Sequence, residues 1–301
     1  MQLDGILFFP VTPFDAEGRL NEDALDRHIG AGLEHGPGGV FAACGTGEVH
    51  ALSNDEHARC VRRAVAAAGG RVPVVAGAGG SVGTAIEQAA AARDLGADAV
   101  LLLPPYLVAG PQGGLVDYVR AVTSAVPIPV IVYQRGSMVL SPATAVSVAG
   151  LPGVVGIKDG VGDLDRMARI VAAVRADRGD DFTFFNGLPT AEITVPAYSA
   201  IGVPLYSSAA FAFVPEVAGA FHRAFHAGDP LAETLLDVFY RPLVALRDRT
   251  PGYAVSLVKA GVRLRGEEVG GVRPPFTDPS AAEVDELAAI IDAGLTAVKG
   301  G

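Results

Sequence analysis

The chain has 301 residues, half of them hydrophobic, and a formal net charge of -10 at pH 7. That length and apolar content can bury one large barrel core or two ordinary ones, and the acidic balance argues against a nucleic-acid partner, whose phosphates such a field repels. No apolar run approaches the roughly 20 residues of a membrane span, no charged-then-apolar leader opens the sequence, and Cys44 and Cys60 are the only cysteines, so a soluble cytoplasmic protein with reduced thiols and no membrane partner is expected.

Short apolar runs bounded by turn residues predict eight strands, at 5–10, 39–44, 72–78, 99–105, 129–133, 154–159, 182–187 and 203–208. A helix-like segment follows each, clearest at 22–34, 55–68, 83–95, 115–126 and 163–176, where alanine-rich stretches begin near Asp or Asn. The strands are continuously apolar, as expected when helices cover their outer face. Eight such alternations predict a (β/α)₈ TIM barrel over residues 1–228. A doubly wound dinucleotide fold is disfavoured because the glycine-rich stretch at 76–80 lacks the G-x-G-x-x-G register. Further helices at 214–227, 231–248, 253–265 and 281–298 close the eighth unit and then build a C-terminal helical extension over 229–301.

Barrel chemistry gathers at the C-terminal strand ends. The second strand leads into Gly45-Thr46-Gly47-Glu48, where two glycines leave backbone N–H groups free to turn toward a carboxylate and Thr46 adds a hydroxyl; an ordinary connecting turn is the alternative. The fifth strand ends in Tyr133-Gln134-Arg135, with a phenol suited to proton relay and a planar fork suited to a carboxylate. The seventh and eighth bring Asn186-Gly187 and Ser207-Ser208, neutral partners for hydroxyl groups. The sixth ends in Gly156-Ile157-Lys158-Asp159, and Lys158 is one of only three lysines. A lysine buried in a strand end avoids the cost of desolvation by losing its proton, and the neutral amine is a nucleophile for carbonyl carbon. The competing reading is a lysine that snorkels to solvent beside Asp159. Tyr133 is expected to have its pKa lowered by the neighbouring lysine. Cys44, with no histidine base placed near it, reads as a packed thiol. His222 and His226 are four residues apart without an HExxH context, and no metal site or cofactor is expected.

The Gly-Thr-Gly-Glu run, the Tyr133 strand end, the Gly-Ile-Lys-Asp strand end and the helical tail together resemble the dihydrodipicolinate synthase and N-acetylneuraminate lyase superfamily of Schiff-base lyases, over essentially the whole chain. Leu-Pro-Pro-Tyr-Leu at 103–107, Lys-Asp-Gly-Val-Gly-Asp at 158–163, Gly-Leu-Pro-Thr-Ala-Glu at 187–192 and Gly-Tyr-Ala-Val-Ser-Leu-Val-Lys-Ala-Gly at 252–261 are most similar to its 5-dehydro-4-deoxyglucarate dehydratase branch. The resemblance implies Lys158 as the Schiff-base residue, Tyr133 as the proton shuttle and Thr46 with its loop as the site for the keto-acid carboxylate. Gly45, Gly47, Arg135, Asn186, Ser207 and Ser208 are the expected substrate contacts. Gly45, Leu107 and Met138 replace the second loop threonine, the second tyrosine and the arginine of the synthase branch, so synthase activity is not expected. The implied reaction is decarboxylating dehydration of a keto sugar diacid by a homodimer or homotetramer. The alternatives are a pyruvate-releasing aldolase on a 2-keto-3-deoxy sugar acid, or a non-catalytic keto-acid-binding protein.

Overall fold

The computed structural model describes residues 3–300. Eight parallel strands close into a barrel in chain order: β1 (Leu7–Phe8), β2 (Gly39–Ala42), β3 (Val74–Gly80), β4 (Ala99–Pro105), β5 (Val130–Gln134), β6 (Val154–Asp159), β7 (Thr183–Asn186) and β8 (Leu205–Ser208), which pairs back onto β1. The expected (β/α)₈ barrel is therefore the observed architecture. β2 stops short of Cys44 because Ala43 has φ 50°, a left-handed turn that cannot continue a ladder. β3 begins only after Pro73, which has no N–H to give the sheet.

The outer ring consists of α1 (Glu22–Leu33), α2 (Asn54–Ala68), α3 (Val82–Asp94), α4 (Gln112–Ala125), α5 (Pro142–Ala149), α6 (Leu164–Arg178), α7 (Val195–Ala200) and α8 (Pro215–Ala227). Side chains of Asn21, Ser53, Ser81, Ser141 and Asp163 each accept a backbone N–H in the first turn of the helix that follows, which fixes five of these starts. α5 and α7 span 8 and 6 residues, too few turns to display a 3.6-residue period.

The chain then continues through α9 (Leu231–Leu235), a π-helical turn at Leu236–Tyr240, α10 (Arg241–Arg247), α11 (Tyr253–Leu264) and α12 (Ala281–Gly300). The single helix expected over 231–248 is thus interrupted. Pro242, in the first turn of α10, cannot donate into an unbroken α ladder, and the wider π turn precedes it. Leu235, Phe239, Leu246 and Leu287 from these later helices share one apolar cluster with Phe8, Ile29 and Phe221. The barrel interior is filled separately by Leu7, Phe9, Phe41, Val75, Leu101, Ile131 and Phe185, with Phe9 and Phe41 stacked at 4.4 Å.

Candidate active site

Successive residues of a strand face opposite sides of the sheet, so register decides which strand-end groups meet. Tyr133, Lys158 and Phe185 are cross-strand neighbours on β5, β6 and β7, and this row faces the barrel interior. The next row, Gln134, Asp159 and Asn186, faces outward. There Gln134 Nε2 donates to Asp159 Oδ1 at 2.8 Å, and the Tyr198 hydroxyl donates to the other carboxylate oxygen. Asp159 is therefore committed away from Lys158, which removes the snorkelling alternative.

The same parity corrects two expected substrate contacts. Asn186 donates to Thr194 Oγ1 at 2.7 Å and accepts from the Leu188 N–H, holding the turn after β7. Ser208 donates to Glu192 Oε1 at 2.5 Å, whereas Ser207, one residue earlier, faces the cavity. Gly47 also lies outside the lining, packed against Ala43, with its carbonyl accepting from the Thr12 hydroxyl at 2.6 Å. All three are parts of the scaffold.

The cavity at the strand ends has a volume of about 450 Å³. Gly45, Thr46, Tyr133, Arg135, Lys158 and Ser207 line its barrel side, and Gly252, Ala254, Val255 and Phe276 form a facing wall that the sequence did not indicate. His50 joins the rim, edge-on to Phe276 at 4.5 Å. The lining contains two permanent or potential cations besides His50 and no aspartate or glutamate. In a chain of net charge -10, this is a local reversal of sign suited to an anion.

Lys158 is 5% exposed, its Nζ 4.2 Å from the centre of the Phe9 ring and 4.5 Å from that of Tyr133. No carboxylate among the described residues forms an ion pair with it. Burial lowers its pKa to about 7, Cys44 pulling the other way and Arg135 adding to the depression, so a large fraction is neutral amine at physiological pH. Gly187 passes directly beside its aliphatic stem, where a Cβ would collide with Cε; the absence of a side chain leaves the lysine its channel. Cys44 is fully buried and its thiol is pushed up to about 12 by desolvation, which makes it inert packing.

The Tyr133 hydroxyl donates to the Gly187 carbonyl at 3.0 Å and accepts from Arg135 Nη1 at 3.2 Å. Its pKa is raised, against expectation, because burial outweighs the cation beside it, and that cation is Arg135. Arg135 has no ion-pair partner among the described residues, so most of its donors remain available on the cavity side.

The turn bearing Thr46 hides a second lysine. Glu48 takes a left-handed conformation, φ 55°, and its carboxylate turns beneath the loop to meet Lys259 Nζ at 2.8 Å, both side chains fully buried. The partners are 211 residues apart. A cation within the apolar run Tyr253–Leu264 was the one signal of this pair in the sequence.

A closed (β/α)₈ barrel that presents a desolvated amine, a phenol, an arginine and a Gly-Thr turn on one rim has the equipment of the barrel lyases that act on carbonyl substrates. The chain belongs to the dihydrodipicolinate synthetase family, whose model matches residues 2–294. It is 54% identical over 299 residues, 99% of this chain and 95% of the relative, to a probable 5-dehydro-4-deoxyglucarate dehydratase 1 of Streptomyces coelicolor. A probable 5-dehydro-4-deoxyglucarate dehydratase of Streptomyces griseus is 54% identical over 292 residues, covering 96% of this chain and 91% of its own. Among solved structures, the dihydrodipicolinate synthase from Bacillus clausii superposes with a TM-score of 0.88 at 27% identity, covering 96% of this chain and 97% of its own. No helix among the described residues is long and apolar enough to cross a membrane.

Proposed function

We propose that this chain converts 5-dehydro-4-deoxy-D-glucarate to 2,5-dioxopentanoate, CO₂ and water through an imine on Lys158. The observation that carries the reading is the acid-free cavity in which that unpaired, desolvated amine lies beside Tyr133 and Arg135; the two dehydratase-named relatives of nearly equal length support the choice of substrate.

The substrate is a dianion with a keto group next to one carboxylate. Thr46 and the amides of its turn receive that carboxylate, Arg135 the distal one, and Ser207 a hydroxyl. Neutral Lys158 adds to the keto carbon, and Tyr133 protonates the carbinol oxygen, which departs as water and leaves an iminium and a phenolate. Arg135, at 3.2 Å, stabilises that phenolate. The phenolate then takes a proton from the adjacent CH₂ to give an enamine. The enamine expels the β-hydroxyl as water, protonated by the same phenol. The resulting conjugated iminium accepts the electron pair released when the distal carboxylate leaves as CO₂. Protonation at carbon, tautomerisation of the enol to the aldehyde and hydrolysis of the imine release the product and restore the amine. The imine is the electron sink throughout, so the route calls on no cofactor.

In this reading the barrel, residues 1–228, supplies the reacting groups and the helical extension, 229–301, covers the cavity. The chain acts in the cytoplasm as a homodimer or homotetramer. Tyr106, Leu107 and Val108, 72%, 83% and 61% exposed after β4, supply an apolar edge for such assembly. Sedimentation velocity at micromolar concentration is expected to show a dimer or larger species, and a monomer would refute the assembly.

Incubation of the purified protein with the substrate, followed by assay of CO₂ and 2,5-dioxopentanoate, tests the reaction. Pyruvate released without CO₂ would make it an aldolase, and neither product would refute turnover of this substrate. Because the ammonium form of Lys158 cannot attack, kcat/KM is expected to rise about tenfold per pH unit up to about pH 7 and to level above it. A flat profile between pH 5 and 8 would show that no such amine limits the reaction.

A further inference from the structure

The fully buried pair of Glu48 and Lys259 lies outside the cavity lining yet ends in the turn that lines it. Both carboxylate oxygens of Glu48 are used: one accepts from Lys259 Nζ at 2.8 Å, the other from the backbone N–H of Arg273 at 2.8 Å. The Lys259 ammonium lies 4.0 Å above the Phe14 ring, and the Arg273 guanidinium lies 4.0 Å from the same ring. Arg273 is itself held by Glu56 and by the carbonyls of Gly18 and Ala51. On the other side, the Glu48 N–H donates to the Gly45 carbonyl, and Thr12 fixes the Gly47 carbonyl. The turn is thus fastened at each end of Gly45-Thr46-Gly47, and the far fastening comes from α11 and the strap that follows it.

A left-handed glutamate carries a conformational cost that its surroundings must offset, and a buried ion pair is poor value for stability alone. We propose that Lys259, through Glu48, is a positioning residue that sets the Gly45-Thr46-Gly47 turn in the form that receives a 2-keto-acid carboxylate. Lys259 thereby governs affinity for that carboxylate while itself lying outside the cavity lining. The inference rests on the assignment of this turn to the carboxylate, made above.

The test uses two small carbonyl probes, pyruvate, which carries the carboxylate, and acetaldehyde, which lacks it. Each is trapped on Lys158 with borohydride and quantified by peptide mass mapping as a function of probe concentration. In Lys259→Met the half-saturating pyruvate concentration is expected to rise by roughly 10²-fold, the loss associated with a displacement of about 1 Å, with acetaldehyde labelling unchanged. Lys259→Met leaves a buried carboxylate unpaired, so the double variant Glu48→Gln/Lys259→Met, in which both charges are gone, provides a folded counterpart; the same selective loss is expected. Equal loss for both probes, or a pyruvate shift below about threefold, would overturn the positioning role while leaving the Lys158 reading intact. Wild-type protein that labels with acetaldehyde but not with pyruvate would overturn the carboxylate assignment itself, and this inference with it.

Discussion

Lys158→Met is expected to abolish turnover, with a loss on the order of 10⁶-fold, as when a covalent nucleophile is removed from a site whose other groups depend on it. Arg135, Tyr133 and Thr46 stay in place in that variant, but with no imine there is no sink for the electrons of either the C–O or the C–C cleavage. Borohydride adduct formation with substrate should vanish in parallel. Loss of the lysine should not harm the fold. The wild-type amine is desolvated to a pKa of about 7, far below its ordinary 10.5, so between those values the unfolded chain holds a proton that the folded one does not. Wild-type stability therefore rises with pH across that window, and methionine, similar in length and apolar, should flatten the rise. Residual activity within 10²-fold of wild type would mean that the chemistry does not pass through this amine.

Tyr133→Phe is expected to lower kcat by roughly 10²- to 10⁴-fold, the range associated with a positioned proton donor and acceptor. Its hydroxyl is the only group hydrogen-bonded to both Arg135 and the Gly187 carbonyl among the described residues. The variant should still form the imine slowly, because Lys158 owes its depressed pKa to burial and to Arg135 and not to the phenol. Single-turnover trapping should accordingly show an adduct that accumulates without CO₂ release. An unchanged kcat would transfer the proton relay to a different group.

Much of this site is legible in the chain because the barrel puts its chemistry at strand ends, and strand ends are marked by turn residues. Lys158, Tyr133, Thr46, Arg135 and Ser207 stand at or just beyond such ends, and all five line the cavity. Asn186 and Ser208 also stand at strand ends, but on the outward side of the pleat and away from the cavity, and parity depends on a register that no short apolar run reveals. The pairing of Glu48 with Lys259 depends on two segments that meet only when the tail folds back over the barrel. The wall formed by Val255 and Phe276 has the same origin. The raised pKa of Tyr133 follows from its burial, which adjacency in sequence does not disclose.

The barrel is closed at its seam by two cross-strand pairs, Leu7 with Ser207 and Phe8 with Ser208. β1 is the shortest strand of the barrel, 2 residues long, and while it is in place the barrel sheet of the described residues has no free edge to recruit another chain. Detachment of that one segment would bare an edge on β2 and another on β8 and turn a self-contained sheet into a template for strand addition. The guard on those two edges is thus the pair Leu7–Phe8, far in sequence from the lysine and tyrosine at the other strand ends.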